Sequence, residues 1–119
     1  MQISIITQRP EDFTAFAAAL AEKGVQTSFV ATGQATLDQA RQAPPTLVVV
    51  DEAMPERAAF ALVSQLLQVN AFIHTAVATS LSPEAFHEAG EGLGILATLP
   101  LQPSATDAHT LLANLEALV

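Results

Sequence analysis

An α/β fold built on one parallel sheet is predicted by three observations in this 119-residue chain. Short apolar or β-branched segments alternate with segments whose apolar residues recur at helical spacing. The segment Thr46 to Val50 is apolar on both faces, as in a central strand covered by helices on each side. The connections are short, and strands joined in this order require right-handed crossovers.

Ile3 to Thr7 is rich in β-branched residues and is predicted as the first strand; Arg9-Pro10-Glu11-Asp12 then marks a turn opening a helix. Phe13, Phe16, Ala17 and Leu20 give that helix one apolar stripe, and Gly24 stops it. Val25 to Val30 is predicted as the second strand. Thr32 caps the next helix, which carries Leu37, Ala40 and Arg41 and ends before Pro44-Pro45. After the central strand, Phe60, Val63, Leu66 and Leu67 recur at helical spacing through Ala58 to Gln68, and Phe72 to Thr79 supplies a fourth strand.

Ser82-Pro83-Glu84 starts a helix with a capping hydroxyl, proline in the first turn and an acid at the positive helix end. Gly90, Gly92 and Gly94 close it, Ile95 to Leu99 is the fifth strand, and Pro100 ends that strand. Ser104-Ala105-Thr106-Asp107 fits a capping box, and Ala108, Leu111, Leu112 and Leu115 form the buried face of the last helix. Five such units favour a flavodoxin-like (βα)5 three-layer sandwich, its five-stranded parallel sheet in the order 2-1-3-4-5. Residues 1–119 are expected to form one domain, since 50% hydrophobic content suffices for a packed core at this length.

Composition narrows function. Acids outnumber bases 12 to 4, a formal net charge of -8, which argues against nucleic acid or an anionic membrane as partner. With no cysteine, disulfides, thiolate chemistry and cysteine zinc sites are excluded, and His74, His87 and His109 lack metal-ligand spacing. Neither a signal peptide nor a spanning segment is indicated, so a cytoplasmic location is expected. No Gly-rich phosphate loop and no G-x-S-x-G elbow is present, and the chain is not expected to be an enzyme.

Asp51 is the principal candidate for chemistry. It stands at the end of the apolar run Leu47-Val48-Val49-Val50, where parallel sheets gather ligands, and Met54-Pro55 follows. A carboxylate there can accept a phosphoryl group, ligate a metal, or serve structurally by capping a helix or bonding loop amides.

The segment from Pro45 to Pro55 resembles the third strand and following loop of response-regulator receiver domains of two-component signalling: an apolar run, an aspartate, then Met-Pro. The resemblance extends over nearly the whole chain, through the β/α order, Phe60, the hydroxyl pair Thr79-Ser80 after the fourth strand, and Pro100-Leu101 where the family has Lys-Pro-Phe. It implies that Asp51 is the phosphoacceptor, that Thr79 or Ser80 is the switch hydroxyl, and that Pro100 has a conformational role. It also implies a phosphorelay partner, either a histidine kinase or a downstream regulator.

The departures fall on the chemistry. Where the family has two acids for Mg²⁺ this chain has Thr7 and Gln8; Leu99 replaces the phosphoryl-gripping lysine, and Leu96 the aromatic switch residue. Aspartyl phosphorylation brings like charges together, and losing one preorganised neutralising group costs on the order of 10² to 10³ in rate. A lone carboxylate beside an amide and a hydroxyl is a poor Mg²⁺ site, so no cofactor is expected. Arg9, in the adjacent loop, either reaches Asp51 as a fixed counter-charge or projects into solvent. Glu52 leaves the strand on the opposite side from Asp51 and is expected to be solvated.

These residues support a degenerate receiver that binds a protein partner or forms a homodimer without a phosphorylation switch. Its expected contact face comprises residues 82–91, 95–99 and 104–119, with exposed apolar residues around Leu93, Leu101 and Leu118. Two alternatives stand beside it: a working phosphoacceptor modified on Asp51, and a flavodoxin-like small-ligand domain. The last is disfavoured by the lack of tryptophan, tyrosine and a phosphate cradle.

Overall fold

The computed structural model describes residues 1–53 and 59–118; Met54-Pro55, Glu56 and the predicted helix start at Ala58 lie outside them. The strands are β1 (Gln2–Ile6), β2 (Gln26–Val30), β3 (Leu47–Asp51), β4 (His74–Ala78) and β5 (Ala97–Leu99). They alternate with α1 (Thr14–Glu22), α2 (Gly33–Gln42), α3 (Ala59–Val69), α4 (Pro83–Gly90) and α5 (Ala105–Glu116). All sheet pairings are parallel, in the order β2-β1-β3-β4-β5. This is the flavodoxin-like arrangement expected from the sequence.

Side-chain alternation along the strands separates two cores. Ile3, Ile5, Leu47, Val49, Ala76 and Ala78 face α1 and α5, packing with Phe16, Leu20, Leu111 and Leu115. Ile6, Val48, Val50 and Val77 face α2 and α3, with Leu37, Leu62 and Leu66. β3 is buried along its whole length, which is why it is apolar at consecutive positions. Each large side chain so buried contributes roughly 1.5–3 kcal/mol. Ser4 is the buried polar residue of β1, and its hydroxyl donates to Gln39 Oε1 of α2 at 2.7 Å.

The helix starts follow the predicted capping chemistry. Thr32 and Ser82 accept from the backbone N–H groups of Ala35 and Ala85, and Ser104 with Asp107 forms a reciprocal capping box at α5. Gly24 follows α1 at φ +79°, a conformation that side chains with a Cβ disfavour. Among the described residues no helix is long and apolar enough to cross a membrane.

Three local expectations differ. The expected turn before α1 is a 3-10 turn, Pro10–Phe13, that extends one residue further than Asp12, so Phe13 precedes α1 instead of opening its stripe. β4 starts at His74 rather than Phe72: the Asn70 side chain accepts from Phe72 N at 2.9 Å, forming a tight turn that leaves Phe72 91% exposed. β5 is shorter than Ile95 to Leu99, since Gly92 and Gly94 turn the chain at positive φ and only Ala97 to Leu99 pair with β4.

Candidate functional site

Strand register explains which side chains meet at the carboxyl end of the sheet. Ile5 pairs with Val49 and Ile6 with Val50, so the next residues on these strands, Thr7 and Asp51, are level and project to the same face. Thr7 Oγ1 donates to Asp51 Oδ2 at 2.6 Å. Asp51 is 1% exposed, so its charge requires local compensation.

Arg9 supplies that compensation. Its Nε donates to Asp51 Oδ2 at 3.0 Å and its Nη2 to Asp51 Oδ1 at 2.9 Å, a two-pronged fork on one carboxylate. Ala53 N donates to Oδ1 at 2.9 Å, so each Asp51 oxygen accepts two hydrogen bonds. Local geometry aims the arginine: its own N–H donates to Thr7 Oγ1 at 2.9 Å, and its carbonyl accepts from Asp12 N at 3.0 Å, opening the 3-10 turn.

The rest of the guanidinium is also engaged. Nη1 donates to Asp12 Oδ2 at 2.5 Å, Nη2 donates to the Leu101 carbonyl at 3.0 Å, and the group lies 5.9 Å from the Phe13 ring centroid. One side chain therefore ties together the loop after β1, the end of β3 and the loop between β5 and α5. The hydrogen bond to Asp51 and the nearby carboxylates raise the Arg9 pKa above its ordinary range, against an opposing desolvation effect. The arginine is thus a permanent cation.

The second face of the sheet holds a smaller polar pair. Asp51 pairs with Ala78, so Glu52 and Thr79 are the next level residues, and both turn away from Asp51. Thr79 Oγ1 donates to Glu52 Oε2, while Glu52 N donates to the Ala78 carbonyl at 2.9 Å. The expectation that Glu52 is solvated is corrected: it does leave the strand on the opposite side, but the neighbouring strand places a buried hydroxyl there.

Of the hydroxyl pair, Thr79 is buried and Ser80 exposed. Gln8 is exposed, and its side-chain amide reaches the Ala31 carbonyl at 3.4 Å. Leu99 packs within the core facing α1 and α5, and Leu96 is half-buried against it. Pro100 is exposed at the end of β5. The expected apolar patch around Leu93, Leu101 and Leu118 is not one exposed surface: Leu93 packs against the core facing α2 and α3, Leu101 is half-buried, and only Leu118 is well exposed.

The donor set does not fit Mg²⁺. Thr7 and Gln8 bring no charge, both Asp51 oxygens are saturated, and a guanidinium already stands against them. Among the described residues no three acidic or histidine side chains converge on a metal-sized site. What the arrangement does chemically is neutralise a buried carboxylate and fix three loops. Arg9 was legible from the sequence as one of two options; Asp12 and the Leu101 carbonyl were not, because they depend on where a long side chain turns.

No protein-family profile matches this sequence, and neither does any curated protein. Solved structures do. A two-component response regulator from Clostridium difficile superposes with a TM-score of 0.84 at 11% identity, over 98% of this chain and 96% of that one. A CheY-like response regulator receiver domain protein from Methanospirillum hungatei JF-1 gives 0.83 at 14% identity, over 98% and 94%. The chemotaxis response regulator CheY4 of Vibrio cholerae gives 0.80 at 18% identity, over 99% and 98%. At such identities the likeness is one of architecture, and it covers nearly the entire chain: this protein has the fold of response-regulator receiver domains.

Proposed function

We propose that this chain is a receiver-fold signalling module whose phosphorylation site has been replaced by an internal ion pair, and that it acts through protein contacts rather than phosphotransfer. The observation that carries this reading is the Arg9 fork on Asp51. An in-line attack needs a free carboxylate oxygen and a cationic environment able to take up the charge of the incoming phosphoryl group. Here the cation is committed to the carboxylate itself. Asp51 is then a structural anchor, and Thr7, Gln8, Leu96 and Leu99 are the positions where the phosphorylation chemistry has been lost.

The partner on this reading is a protein, either a kinase or regulator of a two-component system or a second copy of this chain, met in the cytoplasm. A net charge of -8 opposes nucleic acid and anionic membrane. No enzymatic step is assigned. Incubation with acetyl phosphate and Mg²⁺ followed by intact mass measurement tests the proposal: the mass stays unchanged, whereas a single phosphoryl adduct that disappears in Asp51→Asn would establish a working phosphoacceptor instead.

A further inference from the structure

Glu52 and Thr79 join the end of β3 to the loop after β4. Thr79 Oγ1 donates to Glu52 and at the same time accepts from Leu81 N at 3.0 Å. The hydroxyl is therefore a relay between the end of β3 and the loop that leads from β4 into α4. Thr79 N also donates to the Leu99 carbonyl at 2.9 Å, which fastens the same point to β5. A hydroxyl has one proton to give, and giving it to a carboxylate orients its lone pairs toward the Leu81 amide.

We infer that Glu52 is a positioning residue: its carboxylate, through Thr79, holds the loop between β4 and α4 in a single conformation. The inference rests on the reading that this protein works through a surface rather than a modified aspartate. That loop forms one wall of a cleft of about 160 Å³, opposite Thr98, Leu99 and Pro100 and beside Phe86 of α4. Asp51 and Glu52 are thereby adjacent anchors with different tethers. Arg9 draws the loop between β5 and α5 to the first, and Thr79 draws the loop between β4 and α4 to the second. Both loops adjoin the cleft, so its shape is fixed by internal bonds with no covalent modification.

The experiment is amide hydrogen exchange by NMR at Leu81, measured against the amide of Val49 in the buried central strand as the reference for global opening. Thr79→Val removes the acceptor of the Leu81 amide directly and sets the largest effect. Glu52→Ala leaves that acceptor in place, yet the relay requires Leu81 exchange to rise about tenfold, the size expected for losing a hydrogen bond to a charged group. Glu52→Ala combined with Thr79→Val adds nothing further at Leu81, and Thr79→Ser restores wild-type protection. Leu81 exchange in Glu52→Ala within about twofold of wild type, with Val49 unaltered, overturns the inference. The phosphodonor experiment tests the proposed function separately, since neither outcome there changes what Leu81 exchange reports about Glu52.

Discussion

Replacing Arg9 with alanine removes two of the four donors that hold Asp51, and the consequence can be sized from the structure. A buried charge that loses its partner costs about 3–5 kcal/mol. The Arg9 side chain is 28% exposed, so water enters where it leaves, and Thr7 Oγ1 and Ala53 N remain; the expected loss is about 2–3 kcal/mol. For a chain of this size each kcal/mol moves the melting temperature by roughly 4 °C, so Arg9→Ala melts about 8–12 °C lower. With neither tryptophan nor tyrosine present, the assay is circular dichroism, with urea and thermal melts. Arg9→Lys keeps the charge but not the fork and falls between wild type and alanine. Arg9→Met/Asp51→Leu removes both charges and loses less than Arg9→Ala alone, because no carboxylate is left buried and unpaired. The raised Arg9 pKa means that its contribution is fully present below the unfolded arginine value and is lost only as pH rises through the still higher folded value. From neutrality to about pH 10 the difference between wild type and Arg9→Ala is therefore flat. A stability change of under about 0.5 kcal/mol in Arg9→Ala, the ordinary range for a surface substitution, would refute the reasoning.

Other perturbations separate the site from the scaffold. Thr7→Asp/Gln8→Asp supplies carboxylates but leaves the guanidinium in place, so calorimetry detects no Mg²⁺ binding at millimolar concentration until Arg9→Ala is added; equal binding with and without Arg9 contradicts the assignment. Leu66→Ala, at a fully buried position on α3, lowers unfolding free energy by about 2–5 kcal/mol in urea titrations. Ser104→Ala, which breaks the capping box of α5, costs about 1 kcal/mol in the same assay.

How much could be foreseen differs between the scaffold and the site. The parallel sheet and its order follow from patterns that sequence carries directly: the doubly apolar run Leu47 to Val50, the stripes on each helix, and the hydroxyl caps at Thr32, Ser82 and Ser104. Element ends were less legible where a turn competed with a strand. Phe72 has the β propensity of a strand residue, but Asn70 closes a turn around it. Within the site, the uncharged character of Thr7, Gln8 and Leu99 was plain, since a residue type states its charge. Contacts between residues distant in sequence were not. The Glu52–Thr79 pair follows once Asp51 is known to align with Ala78, yet the register is set by packing of the whole sheet. The Arg9 contact with the Leu101 carbonyl spans 92 positions and depends on the path of a flexible side chain, for which no local pattern exists.

The role of Arg9 as the fixed cation of this site is tested most directly by the resonance of its Nε–H during a Mg²⁺ titration. An N–H donated to a buried carboxylate is shielded from water, so the account predicts a resolved, slowly exchanging Arg9 Nε–H signal that does not move through millimolar Mg²⁺, with the Asp51 and Ala53 amides equally still. A signal that is lost to rapid exchange would mean that Arg9 does not hold Asp51, and one that shifts together with those amides as Mg²⁺ is added would mean that a metal ion takes its place.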